Sequence, residues 1–497
     1  MFSYDRDVVF ERRGLSLPTF HTADHGHVLA SGSLAALVGR LRRRPALNVE
    51  RLASVISLTP TEDASATVYE GVHRVPSHHA VRVWPDGRRT STLFARSLER
   101  APEMTAQDAA HELRRRLTAV VARYAEGKRC IAIYAGGGVD SSALLATALA
   151  WSRGANGPEI KAIALDFAGP GDDRPHLREL EKALGIVPIR LSPSRSGRFV
   201  RRMMSLDGAP CPWPNVCDDG MMLEAAREQG ADAAWGGSGG DDLYDGRLDT
   251  FPQRALHGDA IRALREAVAL RVHWRDPGVT QAWDFVVRPL LVRSLPHAVR
   301  RLRRRIRGRS VVAWAGPVLR AHLERVADAA RAPEPSTASA RYTRFVTLPH
   351  LMELFDFRGH LREAMGFDNL EPLVDDEMIS FISSLPPELL FHGGRARGLL
   401  RAAMEGLVPD TVRLRTDKAW FEPAMAQAVR AAGGFEAFAD LAAVPHLADL
   451  GLIEPSKFRE AFDALARAPE DGAGWLQVWP ALAVEAFVAG YQAGATS

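Results

Sequence analysis

Cysteine is scarce in this chain: Cys130, Cys211 and Cys217 are the only three in 497 residues. Three are too few for a disulfide scaffold, and their spacing fits no zinc-binding pattern, so a reducing, cytoplasmic setting is expected. Long apolar runs are also missing. No stretch reaches the roughly 18 apolar residues that a membrane helix needs. Met1–Arg13 carries six charged residues where a signal peptide would have its apolar segment, so no membrane association is expected. Neither sign of charge dominates: 63 Lys and Arg stand against 60 Asp and Glu. A net charge of +3 does not by itself point to nucleic acid, and none is expected as a partner. The length allows two or three domains, each with a core of its own.

Residues 1–100 alternate short apolar runs with turns and predict a small α+β domain. Val49–Leu58 reads as helix, and a hairpin is expected at Pro85-Asp86-Gly87. His78 and His79 are adjacent on a predicted strand and point to opposite faces, which argues against a two-histidine metal site. Met104–Ala125 predicts an amphipathic helix. From Lys128 to about 250 strands alternate with helices: Cys130–Tyr134, Ile160–Phe167, Pro188–Leu191 and Ala233–Trp235 as strands, Pro175–Leu184 and Met221–Gln229 as helices. That alternation predicts a parallel sheet covered on both faces, with ligands beyond the carboxyl ends of its strands. Beyond about 255 helical periodicity dominates. Val299–Arg309 reads as a solvated basic helix or as a docking surface for an acidic partner or RNA. Arg331–Arg341 reads as a linker or mobile loop.

Two loops carry chemistry. After the strand at Tyr134 come Ala135, Gly136, Gly137 and Gly138, then Val139, Asp140, Ser141 and Ser142 opening a helix. Glycines let the backbone approach an anion, and the free N–H groups of a helix start face it. Asp140 is expected to cap the helix, and the serines add hydroxyl donors. No Gly-Lys-Ser/Thr follows, so this is not a Walker A loop. The second loop, Gly236–Gly246, reads GGSGGDDLYDG. Asp140 and Asp241 together suit Mg²⁺, which takes oxygen ligands from carboxylates and phosphates.

The first loop resembles the pyrophosphate-binding (PP) loop of ATP pyrophosphatases, Ser-Gly-Gly-x-Asp-Ser-Ser, with Gly136 in place of the first serine. The pair of loops resembles the synthetase domain of the asparagine synthetase superfamily, whose second loop reads Ser-Gly-Glu-Gly-x-Asp-Glu. The likeness continues in GFDNLEPLVDD (Gly366–Asp376) and in RARGLLRAAMEGLVPDTVRLRTDKAWF (Arg395–Phe421). Within the superfamily the string Gly-Ser-Gly-Gly-Asp-Asp is most similar to lasso peptide cyclases. β-Lactam synthetases carry a tyrosine where Ser238 stands. Phe2 stands where asparagine synthetase has its cysteine, so no glutaminase activity is expected.

The resemblance implies a fold: an α/β PP-loop parallel-sheet domain with helical additions over 101–497, preceded over 1–100 by an α+β remnant of an Ntn-type glutamine amidotransferase. It implies a reaction too, in which ATP with Mg²⁺ adenylates an Asp or Glu side chain of a precursor peptide. The peptide's own N-terminal amine then closes a macrolactam and releases AMP. ATP would lie along Ala135, Gly136–Gly138, Asp140, Ser141, Ser142, Asp166, Gly236 and Gly237, with Mg²⁺ on Asp140 and Asp241. Lys418 matches the family's late lysine, and Asp368 stands at its glutamate, a candidate for steering the amine. A leader-binding protein and a leader peptidase are possible partners. An amide ligase acting on a small molecule is the alternative.

Overall fold

The computed structural model describes residues 1–169, 172–271, 277–295, 312–328, 337–417, 421–470 and 474–494. The N-terminal part is α+β. Strands β1 (Phe2–Tyr4), β2 (Val8–Arg12), β3 (Phe20–Asp24) and β4 (His27–Ser31) lead to helices α1 (Leu34–Val38) and α2 (Val49–Ser57). Then come β5 (His73–Arg74), β6 (His79–Val83) and β7 (Arg89–Leu93). They form two antiparallel sheets, ordered β1-β4-β3-β5 and β2-β6-β7. The turn between β6 and β7 is the expected one, with Val83 opposite Arg89 and Gly87 at positive φ.

The second part is built on a five-stranded parallel sheet. In chain order it uses α3 (Ala106–Ala125), β8 (Cys130–Tyr134), α4 (Val139–Ala155), β9 (Glu159–Leu165), α5 (Arg174–Leu184) and β10 (Ile189–Leu191). A short hairpin of β11 (Ser205–Leu206) and β12 (Ala209–Pro210) precedes α6 (Val216–Glu228), β13 (Ala233–Trp235) and α7 (Gly240–Tyr244). Helices then dominate, including α8 (Pro349–Met365), α9 (Gly398–Ala403) and α10 (Trp475–Gln492), with β14 (Asn369–Leu370) after α8. The strand order is β10-β9-β8-β13-β14. Side-chain alternation buries both faces. Ile131, Ile133, Ala162, Ala164 and Trp235 join α3 and α4 in one core, while Ala132, Ile163 and Ala234 join α6 and α10 in another.

The expectation that each part buries a full core is not met by the first 100 residues. Val28, Val75, Val81 and Val83 form a small cluster there, with Tyr4 and Phe10 against it. Phe20, Leu34, Leu37, Leu52 and Ile56 share a core with Met203, Trp479 and Phe487 of the second part. The seam is also ionic. Arg12 and Arg74 both pair with Asp356 on α8, Arg12 at 2.8 Å, and Arg74 and Arg51 pair with Glu353, Arg74 at 3.0 Å. All three arginines are buried. Burial pushes the Asp356 carboxyl up, but Arg74 and Arg12 hold it below the usual carboxylate range. His360, one turn on, holds Asp207 at 2.9 Å, and Asp207 accepts the Leu34 N–H at the start of α1.

The basic run Val299–Arg309 lies outside the described residues. Of the expected linker or mobile loop Arg331–Arg341, residues 331–336 lie outside the described residues, and Thr337 caps a helix that begins at Ala338, accepting the Ala340 N–H at 3.2 Å. The hydroxyl gives the backbone a start signal that the small-residue composition hides.

Candidate active site

The carboxyl ends of β8, β9 and β13 open on a cavity of about 450 Å³. Gly138, not Asp140, is the N-cap of α4 and has no side-chain cap. Asp140 lies in the first turn and points at the second loop, where Arg397 meets it at 3.0 Å. The same guanidinium pairs with Asp241, and with Asp245 at 3.2 Å. Oδ1 of Asp140 is buried without a hydrogen-bond partner among the described residues. Burial pushes this carboxyl up to about 7, with Arg397 opposing and Asp241 adding to the shift. A cation therefore already sits between the two carboxylates expected to hold Mg²⁺. The oxygen chemistry and the orphaned Oδ1 fit a divalent ion on Asp140 and Asp241, whereas the Arg397 guanidinium competes with it and must swing aside for the ion to bind.

The loops interlock. A Cβ on Gly240 would lie 3.0 Å from Asp140 Cγ, and Gly239, at φ +80°, would press a Cβ to 2.9 Å from Val374. The anion side is also filled from within. The Gly137 N–H donates to Asp173 Oδ2 at 2.9 Å, and Arg415 donates to Asp173 Oδ1 at 2.6 Å. A carboxylate thus stands where a phosphate oxygen is expected. It explains the missing serine as well, since a Cβ at Gly136 would come within 3.1 Å of Asp173 Oδ2. Arg271, Arg395, Arg397, Arg401 and Arg415 give the cavity a basic side. Burial, then Arg397 and Arg395, push Arg401 down to about 10.

The other end is acidic. Arg358 on α8 pairs with Asp219 at 3.2 Å and with Glu371 at 2.8 Å, and donates to Ser238 Oγ at 2.9 Å. The Ser238 N–H donates to Glu371 Oε2 at 2.8 Å. Burial raises the Glu371 carboxyl although Arg358 opposes it.

Of the residues expected from the sequence, Ala135, Gly136, Gly138, Asp140, Ser141, Gly236, Gly237 and Asp241 line the cavity. Others do not. Gly137 contributes its N–H to Asp173. Ser142 is fully buried and donates to the Gly136 carbonyl at 3.2 Å, bracing the loop instead of reaching a ligand. Leu165 and Phe167 line the cavity, whereas alternation along extended chain sends Asp166 the other way, 3.8 Å from Arg174. Asp368 is a correction. It precedes β14, at the sheet's amino end, and pairs with Arg362 at 3.0 Å. Glu371 follows β14 at the carboxyl end and takes the acidic place in the site. Lys418 lies outside the described residues; Thr416, Asp417 and Phe421 line the cavity. Sequence reasoning missed Asp173, Asp218, Asp219, Arg358 and Glu371. Arg397 and Arg401 lie within the string Arg395–Phe421 that carries the resemblance, but sequence reasoning did not single them out.

Among curated proteins none matches the chain. Among solved structures, the U34-tRNA thiolase NcsA from Methanococcus maripaludis with its [4Fe-4S] cluster is 13% identical. The match covers 53% of this chain and 80% of that one, with a TM-score of 0.25, and a likeness so slight adds nothing to the argument. The asparagine synthase family model matches residues 112–489, from within α3 to within α10. That span takes in both glycine loops, the sheet that aims them and the arginines around them, and the chain belongs to the asparagine synthase family.

Proposed function

We propose that this ATP-using amide ligase is an AMP-forming macrolactam synthetase of the lasso peptide cyclase kind. The observation that carries the reading is the interlock of the two glycine loops around one cavity, with Asp140 shared between them. The Gly137 N–H that now holds Asp173, and the arginines along the cavity, suit a triphosphate. A Mg²⁺ ion on Asp140 and Asp241 would neutralise that triphosphate and polarise the α-phosphate. An Asp or Glu carboxylate of the peptide attacks the α-phosphorus and displaces pyrophosphate. The N-terminal amine attacks the acyl carbon, and AMP leaves.

Two features favour an amine already present in the substrate. Residues 1–100 contain no cysteine, and Cys130, Cys211 and Cys217 are buried in the second part, so no thiol is placed to draw ammonia from glutamine. Ser238, where β-lactam synthetases have tyrosine, is tied on both sides to Arg358 and Glu371. In this reading residues 1–100 derive from an amidotransferase, the substrate is a precursor peptide, and a leader-binding protein and leader peptidase are natural partners.

The test is to incubate the protein with MgATP and linear peptides that have a free N-terminus and an internal Asp or Glu. Nucleotide products and peptide mass are then followed. AMP formed in step with peptide lacking one water is the expected result, and it should vanish in Asp140→Asn and in Asp241→Asn. ADP in place of AMP would overturn the assignment. AMP formed with small amino acids and never with a peptide would favour the small-molecule ligase.

A further inference from the structure

The acidic end of the cavity contains more negative charge than its arginine balances. Asn215, Asp218, Asp219 and Met222 line the cavity from one face of α6, at helical spacing. Asp219 has Arg358. Asp218 is 4% exposed, and neither of its oxygens has a hydrogen-bond partner among the described residues. The Ser196 hydroxyl donates to the Pro193 carbonyl at 2.6 Å and lies near enough to Asp218 to offset only part of the cost of its burial. Tyr134, at the end of β8, also lines the cavity, with its hydroxyl buried and unpartnered among the described residues. Asp219 and Glu371 therefore gather around Arg358, the cation in contact with both among the described residues, and Asp218 stands beside Asp219.

A buried carboxyl with both oxygens unmatched is costly unless a ligand matches them. We infer that this acidic end, centred on Asp218, binds the ammonium form of the amine that is to be acylated. An ammonium brings up to three N–H donors and one positive charge, which suits Asp218 and the Tyr134 oxygen. The assignment rests on the amide-ligase reading for its purpose, since such an enzyme must hold an amine close to its acyl-adenylate. Burial, with Asp219 adding to it and Ser196 opposing, pushes the Asp218 carboxyl up to about 7. A peptide α-amine titrates near 8, about one unit above this value, so passing the proton to Asp218 is mildly uphill and is drawn to completion as the amine is acylated. The ammonium becomes a neutral amine with a free electron pair, and the carboxylate becomes a carboxylic acid.

The probe is glycinamide, a small α-amine, compared with N-acetylglycinamide, and binding is followed by ligand-observed NMR at neutral pH. Saturable binding of glycinamide alone is expected in the wild type. Asp218→Asn should weaken it by about tenfold or more, with MgATP affinity kept. Equal behaviour of the two probes in the wild type, which requires no variant, overturns the inference. So does an Asp218→Asn protein that keeps glycinamide but loses MgATP, because Asp218 would then serve the nucleotide. AMP formation is measured separately. Its absence under every condition would count against the ligase reading, whereas the glycinamide comparison decides the subsite either way.

Discussion

Glu371 and Asp218 are both buried carboxyls in the same cavity, but Glu371 shares Arg358 while Asp218 faces Asp219. The consequence is a stability effect with a definite sign. Folded Asp218 titrates at about 7, against about 4 in an unfolded chain. Between those values the folded state holds the extra proton, so this group makes stability fall as pH rises. Asp218→Asn should raise the melting temperature at pH 8 and lose that advantage near pH 4, as scanning calorimetry at the two pH values would show. A second residue-scale prediction concerns Lys418. If it stabilises charge developing at the phosphate and acyl oxygens, Lys418→Met should bind ATP normally. Ring closure should slow by about a hundred- to a thousandfold, the usual cost of one such donor. Lost ATP affinity with normal closure at saturating ATP would make it a binding residue. Asp140 and Asp241 were legible because the loop pattern names them. Glu371 was not: GFDNLEPLVDD contains several acids, and only the direction of β14 shows which one ends at the cavity.

At the scale of elements, the two glycine loops were readable because each sits between a buried strand and a helix start, and glycine is what a close approach requires. β14 was not readable. Two residues in a helical stretch have no periodicity, and their pairing with Ala234 and Trp235 is a tertiary fact. The loop after β9 also hid its role, because nothing local shows that Asp173 reaches back to Gly137. That contact predicts competition. Asp173→Ala frees the Gly137 N–H and the Arg415 guanidinium, so it should tighten ATP binding by up to about tenfold. Titration calorimetry with ATP is the measurement, and unchanged or weaker affinity would mean that Asp173 helps to build the nucleotide site.

At the scale of the whole molecule, the N-terminal 100 residues and the synthetase part share a core and a buried ion cluster. Removing one member of such a cluster leaves a buried charge uncompensated, at about 3–5 kcal/mol. Asp356→Asn should therefore destabilise the protein by roughly that amount. Because the core is continuous, the loss should appear as one shifted unfolding transition in denaturant, not as separate melting of the first 100 residues. Two resolved transitions would contradict the shared core.

Helix α8 turns this seam into a constraint on the site. Glu353, Asp356 and His360 face the N-terminal strands and α1, and Arg358, on the far side of the same helix, holds Asp219, Ser238 and Glu371. The strands therefore act as a jig that fixes the angle at which one arginine enters the cavity. Anyone seeking a smaller ligase by deleting the apparently idle front section would remove the jig. Because that section also shares the core and the buried ion cluster, the cut would cost folding stability together with the alignment of Arg358.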